Sequence, residues 1–169
     1  GVTVYSGFAV GRADAPYCRP EYRESFLVNS LFVANNIRRW LADGYGQSTP
    51  AFLGEIPGLF RDGTLPVDVA LLNVSRPNEE GYCSYGVSAD LAVSAVECAR
   101  TVIAQINPAM PFSYGDALIH TSRIAAAVEV DDPLVEVPTA VPTEIERRIG
   151  AHIAELLSLI HISEPTRLA

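Results

Sequence analysis

The chain has 169 residues, which is long enough for one domain with a substantial hydrophobic core. Hydrophobic residues make up 49% and charged residues 19%, a composition that argues against a disordered chain. No apolar run approaches the ~20 residues that cross a bilayer, so we expect no membrane partner. The formal net charge is −8 and all twelve basic residues are arginine, so we expect no nucleic-acid partner, because an acidic surface repels phosphate backbones.

Short apolar strands alternate with helical patterns, which predicts an α/β fold with an open, mostly parallel sheet and flanking helices. The predicted strands are 2–5, 25–33, 49–53, 67–74, 101–106 and one or two within 119–130. The predicted helices are one capped by Asn35 or Asn36 that ends at Gly44, and others over 55–60, 89–100 and 142–157. The run 67–74 is almost continuously apolar, so we expect a central strand that is covered on both faces.

The loop from Ser75 to Ser88 is the most informative segment, because it follows the strongest strand prediction at the end where open α/β sheets bind ligands. Gly81 and Gly86 would let backbone amides approach a ligand closely, although glycines are equally typical of simple turns. Ser84 and Ser88 add hydroxyl groups, and Ser88 is placed to cap the helix that follows.

Several other polar side chains near this loop have two interpretations. His120 either orients a carboxylate substrate or is a structural residue, and Arg123 either clamps a carboxylate or forms an ion pair. We expect Glu79 and Glu80 to be solvated surface charges. Glu55 stands at the start of the helix predicted over 55–60, where a carboxylate that compensates the helix dipole is at least as good an interpretation as one that binds substrate. The candidate substrate-binding or cleft-lining residues are therefore Gly81, Ser84, Gly86, Ser88, His120 and Arg123.

The cysteines Cys18, Cys83 and Cys98 are odd in number and match no zinc or redox spacing, so we expect free thiols and no metal. A catalytic thiol at Cys83 is the alternative, because that residue lies in the glycine-flanked loop. The sequence contains no Walker phosphate loop, no Gly-x-Gly-x-x-Gly and no Gly-x-Ser-x-Gly. It therefore gives no support for a nucleotide, nicotinamide or flavin site, or for a serine nucleophile.

The C-terminal part changes character twice. An acidic, proline-rich connector over 131–142 precedes a helix in which Thr143 and Glu146 form a capping box. After Leu157, the stretch 158–169 is similar to the conceptual translation of a sequencing-library adapter, so His161 is given no role. We expect a domain over 1–141 that is incomplete at its N-terminus, a helix over 142–157 that leads into a second domain, and a non-native tail over 158–169.

Three segments resemble the acetyl-CoA hydrolase/transferase family, which includes 4-hydroxybutyrate CoA-transferases. They are FLGEIPGLF with PVDVALLNVS (52–60 and 66–75), PNEEGYCSYGVS (77–88), and INPAMP with GDALIH (106–111 and 115–120). Their order and spacing span most of 1–157, which makes the resemblance specific.

The resemblance implies a CoA-transferase, NagB-like fold of two open α/β domains with the active site between them. A glutamate carboxylate attacks the acyl-CoA thioester and forms an acyl-glutamyl anhydride, then a glutamyl-CoA thioester, before an acceptor carboxylate or water completes the exchange. In this family that glutamate lies in the second domain, beyond Leu157. We therefore expect a chain truncated before its second domain, with no catalytic residue and no turnover of its own.

The resemblance also implies coenzyme A as a substrate and an acyl-CoA and a short-chain carboxylate as ligands. The missing C-terminal domain and a homo-oligomer are the expected protein partners, in the cytoplasm. The alternative is a non-catalytic ligand- or partner-binding α/β module, because fold alone does not fix function. Truncation predicts exposed apolar surface, including part of the helix over 143–157.

Overall fold

The computed structural model describes residues 1–7, 16–136 and 139–157. The strands among these residues are β1 (Val2–Ser6), β2 (Phe26–Ser30), β3 (Gly46–Ser48), β4 (Val69–Val74), β5 (Tyr82–Ser84), β6 (Thr101–Ile106), β7 (Leu118–His120) and β8 (Ala126–Glu129). The α-helices are α1 (Asn35–Ala42), α2 (Ile56–Arg61), α3 (Ala92–Cys98) and α4 (Glu144–Leu156). The predicted α/β fold with parallel sheets and flanking helices is confirmed.

Two parallel sheets form the framework. The first has the order β1-β2-β3, and the second has the order β4-β6-β8. In the second sheet Leu71 pairs with Ile103, which pairs in turn with Ala126. Strands β5 and β7 form a separate antiparallel ribbon.

The ribbon and α3 pack against the same face of the second sheet. The largest core cluster joins buried residues of all these elements, namely Ala70, Leu72, Val74, Cys83, Tyr85, Val96, Val102, Ala104 and Ile119. Full burial of one valine such as Val74, which is completely inaccessible, contributes about 1.5–3 kcal/mol. The ribbon is thus held by the core of the sheet rather than by its own few hydrogen bonds.

The prediction that β4 is covered on both faces is wrong for the part of the chain that the structure describes. Ala70, Leu72 and Val74 are buried, but the alternate residues Val69 and Leu71 are 48% and 76% exposed. The near-continuous apolar run reflects two apolar faces, of which α3 and the ribbon cover one.

The first sheet packs on α1 and on a second helical layer. Val28 and Ile37 are buried in one cluster, with Trp40 partly buried against them, and Ile56 and Phe60 of α2 lie in another. Phe60 is buried in the core, and Trp40 lies at the margin of its cluster.

The predicted strand over 49–53 is wrong, because the third strand is β3, just before it. Pro50 has no backbone N–H to give to a sheet. The exposed Glu55 carboxylate accepts the Phe52 N–H at 2.9 Å and closes a turn that leads into α2. Glu55 therefore shapes this turn.

Two predicted helix caps are also wrong. Helix α1 starts at Asn35 with Ala34 at the N-cap and no side-chain cap, although Gly44 follows its end at φ +80° as predicted. Helix α3 is shorter than predicted, with Leu91 at its N-cap. The Ser88 N–H instead donates to Tyr85 O at 3.2 Å, so Ser88 ends a turn that precedes the helix.

The chain divides into two units, Gly1–Val135 and the segment from Glu136 onward. The second unit contains α4, whose predicted capping box is confirmed: Thr143 Oγ1 accepts the Glu146 N–H, and Glu146 Oε2 accepts the Thr143 N–H at 2.7 Å. The Thr143 N–H and the Thr143 hydroxyl both donate to Glu146 Oε2, and these two bonds lower the pKa of Glu146. Apolar residues of α4 at helical spacing, Ile145, Ile149 and Ile153, are exposed. The predicted tail 158–169, with His161, lies outside the described residues.

Candidate functional site

The loop after β4 lies at the carboxyl end of the second sheet and doubles back on itself. The Ser75 N–H donates to Ser84 O at 2.9 Å, so the end of β5 lies beside the end of β4. The Asn107 N–H, directly after β6, donates to Val74 O at 2.8 Å. The predicted location at the carboxyl ends of parallel strands thus holds, but the loop contains strand β5, which the sequence analysis did not identify.

Ser84 is the polar centre of this loop. Its completely buried hydroxyl accepts the Gly86 N–H at 3.0 Å and the Ser113 N–H at 2.9 Å, and it donates to Ser113 O at 3.0 Å. A hydroxyl has one donor and two acceptor sites, so all its hydrogen-bonding capacity is in use. The Ser84 N–H is taken by Ser75 Oγ at 2.8 Å. Ser84 therefore joins three loops and has no hydrogen bond left for a ligand.

Gly86 is held in a conformation that favours glycine, with φ +59°. A Cβ at this position would lie 2.3 Å from Met110 Sδ and 2.9 Å from Pro111 O. The Ser113 hydroxyl donates to Gly86 O at 3.1 Å. Gly86 thus permits close contact between the loop after β5 and the loop after β6.

Gly81 and His120 lie against each other across the ribbon. Gly81 has φ +83°, and a Cβ there would lie 2.9 Å from His120 Nε2. Ser122 contacts His120 Nδ1 twice, through its N–H at 3.2 Å and its Oγ at 2.8 Å; in the tautomer whose Nδ1 accepts from both, the ring proton is on Nε2. The Tyr82 ring packs edge-on against the imidazole, with ring centroids 5.0 Å apart. This arrangement fixes the ring and places Nε2 beside Gly81.

Arg123 lies at the carboxyl end of α3. One guanidinium N–H donates to Val96 O at 3.2 Å, a position that favours a cation because of the helix dipole. The residue is otherwise exposed. Its charge also acts on Tyr85, whose pKa is raised by burial while the Arg123 guanidinium opposes that rise.

Cys83 is completely buried between the ribbon and the sheet, and burial raises the pKa of its thiol. A reactive cysteine needs an accessible thiolate with a lowered pKa. The environment of Cys83 is the opposite, so the catalytic-thiol alternative loses its support.

The structure brings some of the predicted residues together and separates others. Gly81 and His120 are in contact, and Ser84 and Gly86 are joined by a hydrogen bond. Ser88 is exposed beyond Tyr85, and Glu79 and Glu80 are exposed at the loop tip. The sequence analysis missed Ser75, Tyr82, Asn107, Met110 and Ser113. The motifs quoted for the family resemblance contain all of these residues except Ser113, so the sequence carried a signal for four of the five.

The described residues contain no helix long and apolar enough to cross a membrane. Nor do His, Cys, Asp and Glu side chains gather there in a group of three that would hold a metal ion.

Comparison with known proteins identifies the family. The protein-family model for the acetyl-CoA hydrolase/transferase N-terminal domain matches residues 2–142 of this chain. The chain is 39% identical over 157 residues to the 4-hydroxybutyrate coenzyme A transferase of Clostridium kluyveri, covering 93% of this chain and 36% of that protein. It is 37% identical to a succinyl-CoA:acetate/propanoyl-CoA:succinate CoA transferase of Fasciola hepatica, covering 85% of this chain and 30% of that protein. The chain thus spans about a third of the length of these curated relatives.

Solved structures agree with the sequence comparison. A 4-hydroxybutyrate CoA-transferase from Porphyromonas gingivalis is 38% identical with a TM-score of 0.67, covering 94% of this chain and 42% of that one. RipA from Yersinia pestis is 28% identical with a TM-score of 0.78, covering 92% of this chain and 38% of that one. The chain therefore belongs to the acetyl-CoA hydrolase/transferase family, and its residues 2–142 correspond to the N-terminal domain of that family.

Proposed function

We propose that this domain forms one wall of the active site of an acyl-CoA:carboxylate CoA-transferase or acetyl-CoA hydrolase that moves CoA between short-chain carboxylic acids. The observation that carries the proposal is the family match over residues 2–142. The names of the relatives support it, since those from Clostridium kluyveri and Fasciola hepatica are CoA transferases of carboxylic acids. The whole protein determines which acyl-CoA and which acceptor acid react, and whether the CoA is transferred or the thioester is hydrolysed.

The proposed chemistry needs a nucleophile from a second domain. A glutamate carboxylate oxygen attacks the thioester carbonyl, the C–S bond breaks, and CoA leaves as a thiolate. The thiolate then attacks the glutamyl carbonyl of the anhydride and releases the first acid, which leaves a glutamyl-CoA thioester. An acceptor carboxylate reverses both steps with a new acyl group, whereas water hydrolyses the intermediate. Covalent catalysis of this kind divides one difficult step into easier ones.

The residues of this domain would bind and orient the substrates. His120 is the best placed, because the hydrogen bond to Nδ1 leaves Nε2–H as a donor that faces Gly81. A carboxylate or thioester oxygen against Gly81 would accept that hydrogen bond. Arg123 uses one guanidinium N–H on α3 and has further donors for a carboxylate. Ser84 and Gly86 would act as positioning residues that hold the loops in place, and the exposed Ser88 would line the cleft.

The proposal also includes a C-terminal domain that supplies the glutamate, a homo-oligomeric cytoplasmic enzyme, and no turnover by the 169 residues alone. The test uses the protein as its native locus encodes it. Mixed with acetyl-CoA and isotope-labelled carboxylates, that protein should form labelled acyl-CoA. Without an acceptor, intact-mass spectrometry should detect one CoA joined to the protein with loss of water.

Two variants make the test specific to this domain. His120→Ala should lower kcat/KM of the full protein by about 10- to 100-fold, the effect of losing one hydrogen bond to a charged group. Glu79→Gln, exposed at the tip of the loop that carries Gly81, is the control and should leave kcat/KM unchanged. A full protein that binds acyl-CoA but neither transfers nor hydrolyses it would favour the binding-module alternative.

A further inference from the structure

One buried side chain holds the start of the connector. Asn107 is the first residue after β6 and is only 1% exposed. Its side-chain Nδ2 donates to the backbone oxygen of Asp132 at 2.8 Å, and its Oδ1 accepts the Ala109 N–H at 3.0 Å. Both ends of the side-chain amide are therefore in use, one toward the connector and the other toward the loop after β6.

The backbone of Asn107 is bonded as fully as its side chain. Its N–H donates to Val74 O at 2.8 Å, and its carbonyl oxygen accepts the Met110 N–H at 3.1 Å. Met110 in turn lies against Gly86 of the candidate site. A single residue thus joins the end of β4, the loop that supports the candidate site, and the connector.

The first part of the connector, residues 131–135, has little else to hold it. The Val130 N–H, just before it, donates to Ile106 O at 3.0 Å. Beyond that point, the bond from Asn107 is the only hydrogen bond that residues 131–135 make within the described part of the chain. Leu134 is half-buried and the other four residues are exposed. Loss of the bond from Asn107 would therefore release the connector from Val130 onward.

The position between Asp132 and Ala109 has a strict chemical requirement. A backbone oxygen can only accept a hydrogen bond and a backbone N–H can only donate one, so the side chain between them has to offer one donor and one acceptor. The amide of Asn107 offers both. An ionised aspartate has acceptors only and would set an oxygen against the Asp132 oxygen, whereas a protonated aspartic acid has nearly the same shape as asparagine and regains a donor.

We infer that Asn107 is a positioning residue for CoA transfer: it clamps the connector to the carboxyl end of the second sheet and so sets where the chain leaves this domain. The inference rests on the proposed function, in which polypeptide after the connector supplies the glutamate. A reacting group that is displaced by about 1 Å can lose roughly a hundredfold in rate, so a nucleophile supplied through the connector depends on this anchor. Because Asn107 is buried, it acts through the position of the chain and not by contact with a substrate.

The structural part of the test uses the 169-residue chain and ¹⁵N relaxation. In the unaltered chain the N–H groups of residues 131–135 should have order parameters of about 0.85, and in Asn107→Ala these should fall below about 0.6. Asn107→Asp should resemble Asn107→Ala while the introduced carboxyl is ionised. As the pH is lowered, it should regain the order of the unaltered chain, because burial raises the pKa of a carboxyl and protonation restores the donor.

Two controls separate the clamp from general damage. The Ala109 N–H keeps its acceptor in Asn107→Asp and loses it in Asn107→Ala, so its exchange with solvent should become fast only in Asn107→Ala. Asn73→Asp adds the same charge at an exposed residue of β4 and should leave residues 131–135 ordered at every pH.

The functional part of the test uses the protein as its native locus encodes it. Asn107→Ala should lower kcat by about 10- to 100-fold and leave KM for acyl-CoA within about twofold, because the displaced group is the nucleophile and not the substrate site. In Asn107→Asp, kcat relative to the unaltered protein should rise as the pH is lowered, over the same range in which the connector regains its order. A residue that merely filled space would give no such recovery.

Four results would overturn the inference. Unchanged order over residues 131–135 in Asn107→Ala would mean that another contact holds the connector. Unfolding of both Asn107 variants at every pH would make Asn107 a residue of the core alone. A mobile connector with unchanged kcat would separate the clamp from the reaction, and a loss of kcat in Asn107→Asp without recovery at low pH would do the same. A protein that neither transfers nor hydrolyses CoA would instead refute the proposed function and the kinetic role with it, while the relaxation measurement still decides whether the clamp exists.

Discussion

Replacement of Gly86 by alanine tests whether the loop after β5 depends on close contact with the loop after β6. Alanine at φ +59° costs roughly 1–2 kcal/mol relative to a right-handed conformation. The new Cβ would also lie 2.3 Å from Met110 Sδ and 2.9 Å from the backbone oxygen of Pro111, and overpacking of this kind costs about 1–3 kcal/mol. We therefore expect Gly86→Ala to lower the free energy of unfolding by about 2–5 kcal/mol, the sum of these two costs.

The matched control is Gly115→Ala. Gly115 has φ +81°, but a Cβ there meets nothing within 4 Å, so this variant should show only the conformational cost of roughly 1–2 kcal/mol. Urea denaturation followed by circular dichroism would measure both variants. Met110→Ala combined with Gly86→Ala should lose less stability than the sum of the single variants, because the closest contact is gone. Equal losses for Gly86→Ala and Gly115→Ala would refute the packing argument.

Three further predictions follow from the polar and titratable groups. Ser84→Ala should lower the free energy of unfolding by about 1–3 kcal/mol, because the N–H groups of Gly86 and Ser113 lose a buried acceptor. The control Ser88→Ala, at an exposed residue, should change the free energy of unfolding by less than about 0.5 kcal/mol. Urea denaturation of both variants measures the difference. Cys83 should resist iodoacetamide in the folded chain and react once the chain is unfolded in urea, as peptide mass spectrometry would show; rapid labelling of the folded chain would contradict its burial. The Thr143 N–H and hydroxyl lower the pKa of Glu146 below its ordinary value of 4.5. The capping box should therefore stabilise α4 fully above pH 4.5 and lose its effect as the pH falls through the lowered pKa. Carbon chemical shifts of α4 measured against pH should record this loss of helix stability, and Glu146→Gln should abolish the pH dependence.

The elements that the sequence predicts well are those set by local patterns. The capping box of α4 depends on two residues three positions apart, and both of its hydrogen bonds form as expected. Continuous apolar runs predict the strands β4 and β6. Gly44 marks the end of α1, because the residue after a helix often has a positive φ, here +80°, which glycine adopts readily. The resemblance to CoA-transferases was equally accessible, because the three motifs keep their order along the chain.

The elements that the sequence predicts poorly are those set by distant contacts. The strands β5 and β7 have three residues each and are held by packing on the second sheet, so no period in the local sequence marks them. The false strand over 49–53 has suitable apolar residues, but Pro50 cannot donate to a sheet and Glu55 closes a turn that begins at Phe52. The exposed face of β4 could not be predicted either, because an apolar pattern specifies that a face can be buried and not what covers it.

The candidate site shows the same division in its chemistry. The sequence GYCSYG has the composition of a ligand-binding loop, with two glycines and a serine between aromatic residues. In the structure, however, the Ser84 hydroxyl is saturated by Ser113 and Gly86, 29 and two residues away, so the serine that looks most available has no capacity left. The group with a donor to offer is His120, whose ring is fixed by a hydrogen bond from Ser122 and by the edge of Tyr82. The loop therefore contributes a rigid surface, and His120, the donor to which the proposed function assigns substrate recognition, lies on the strand beside it.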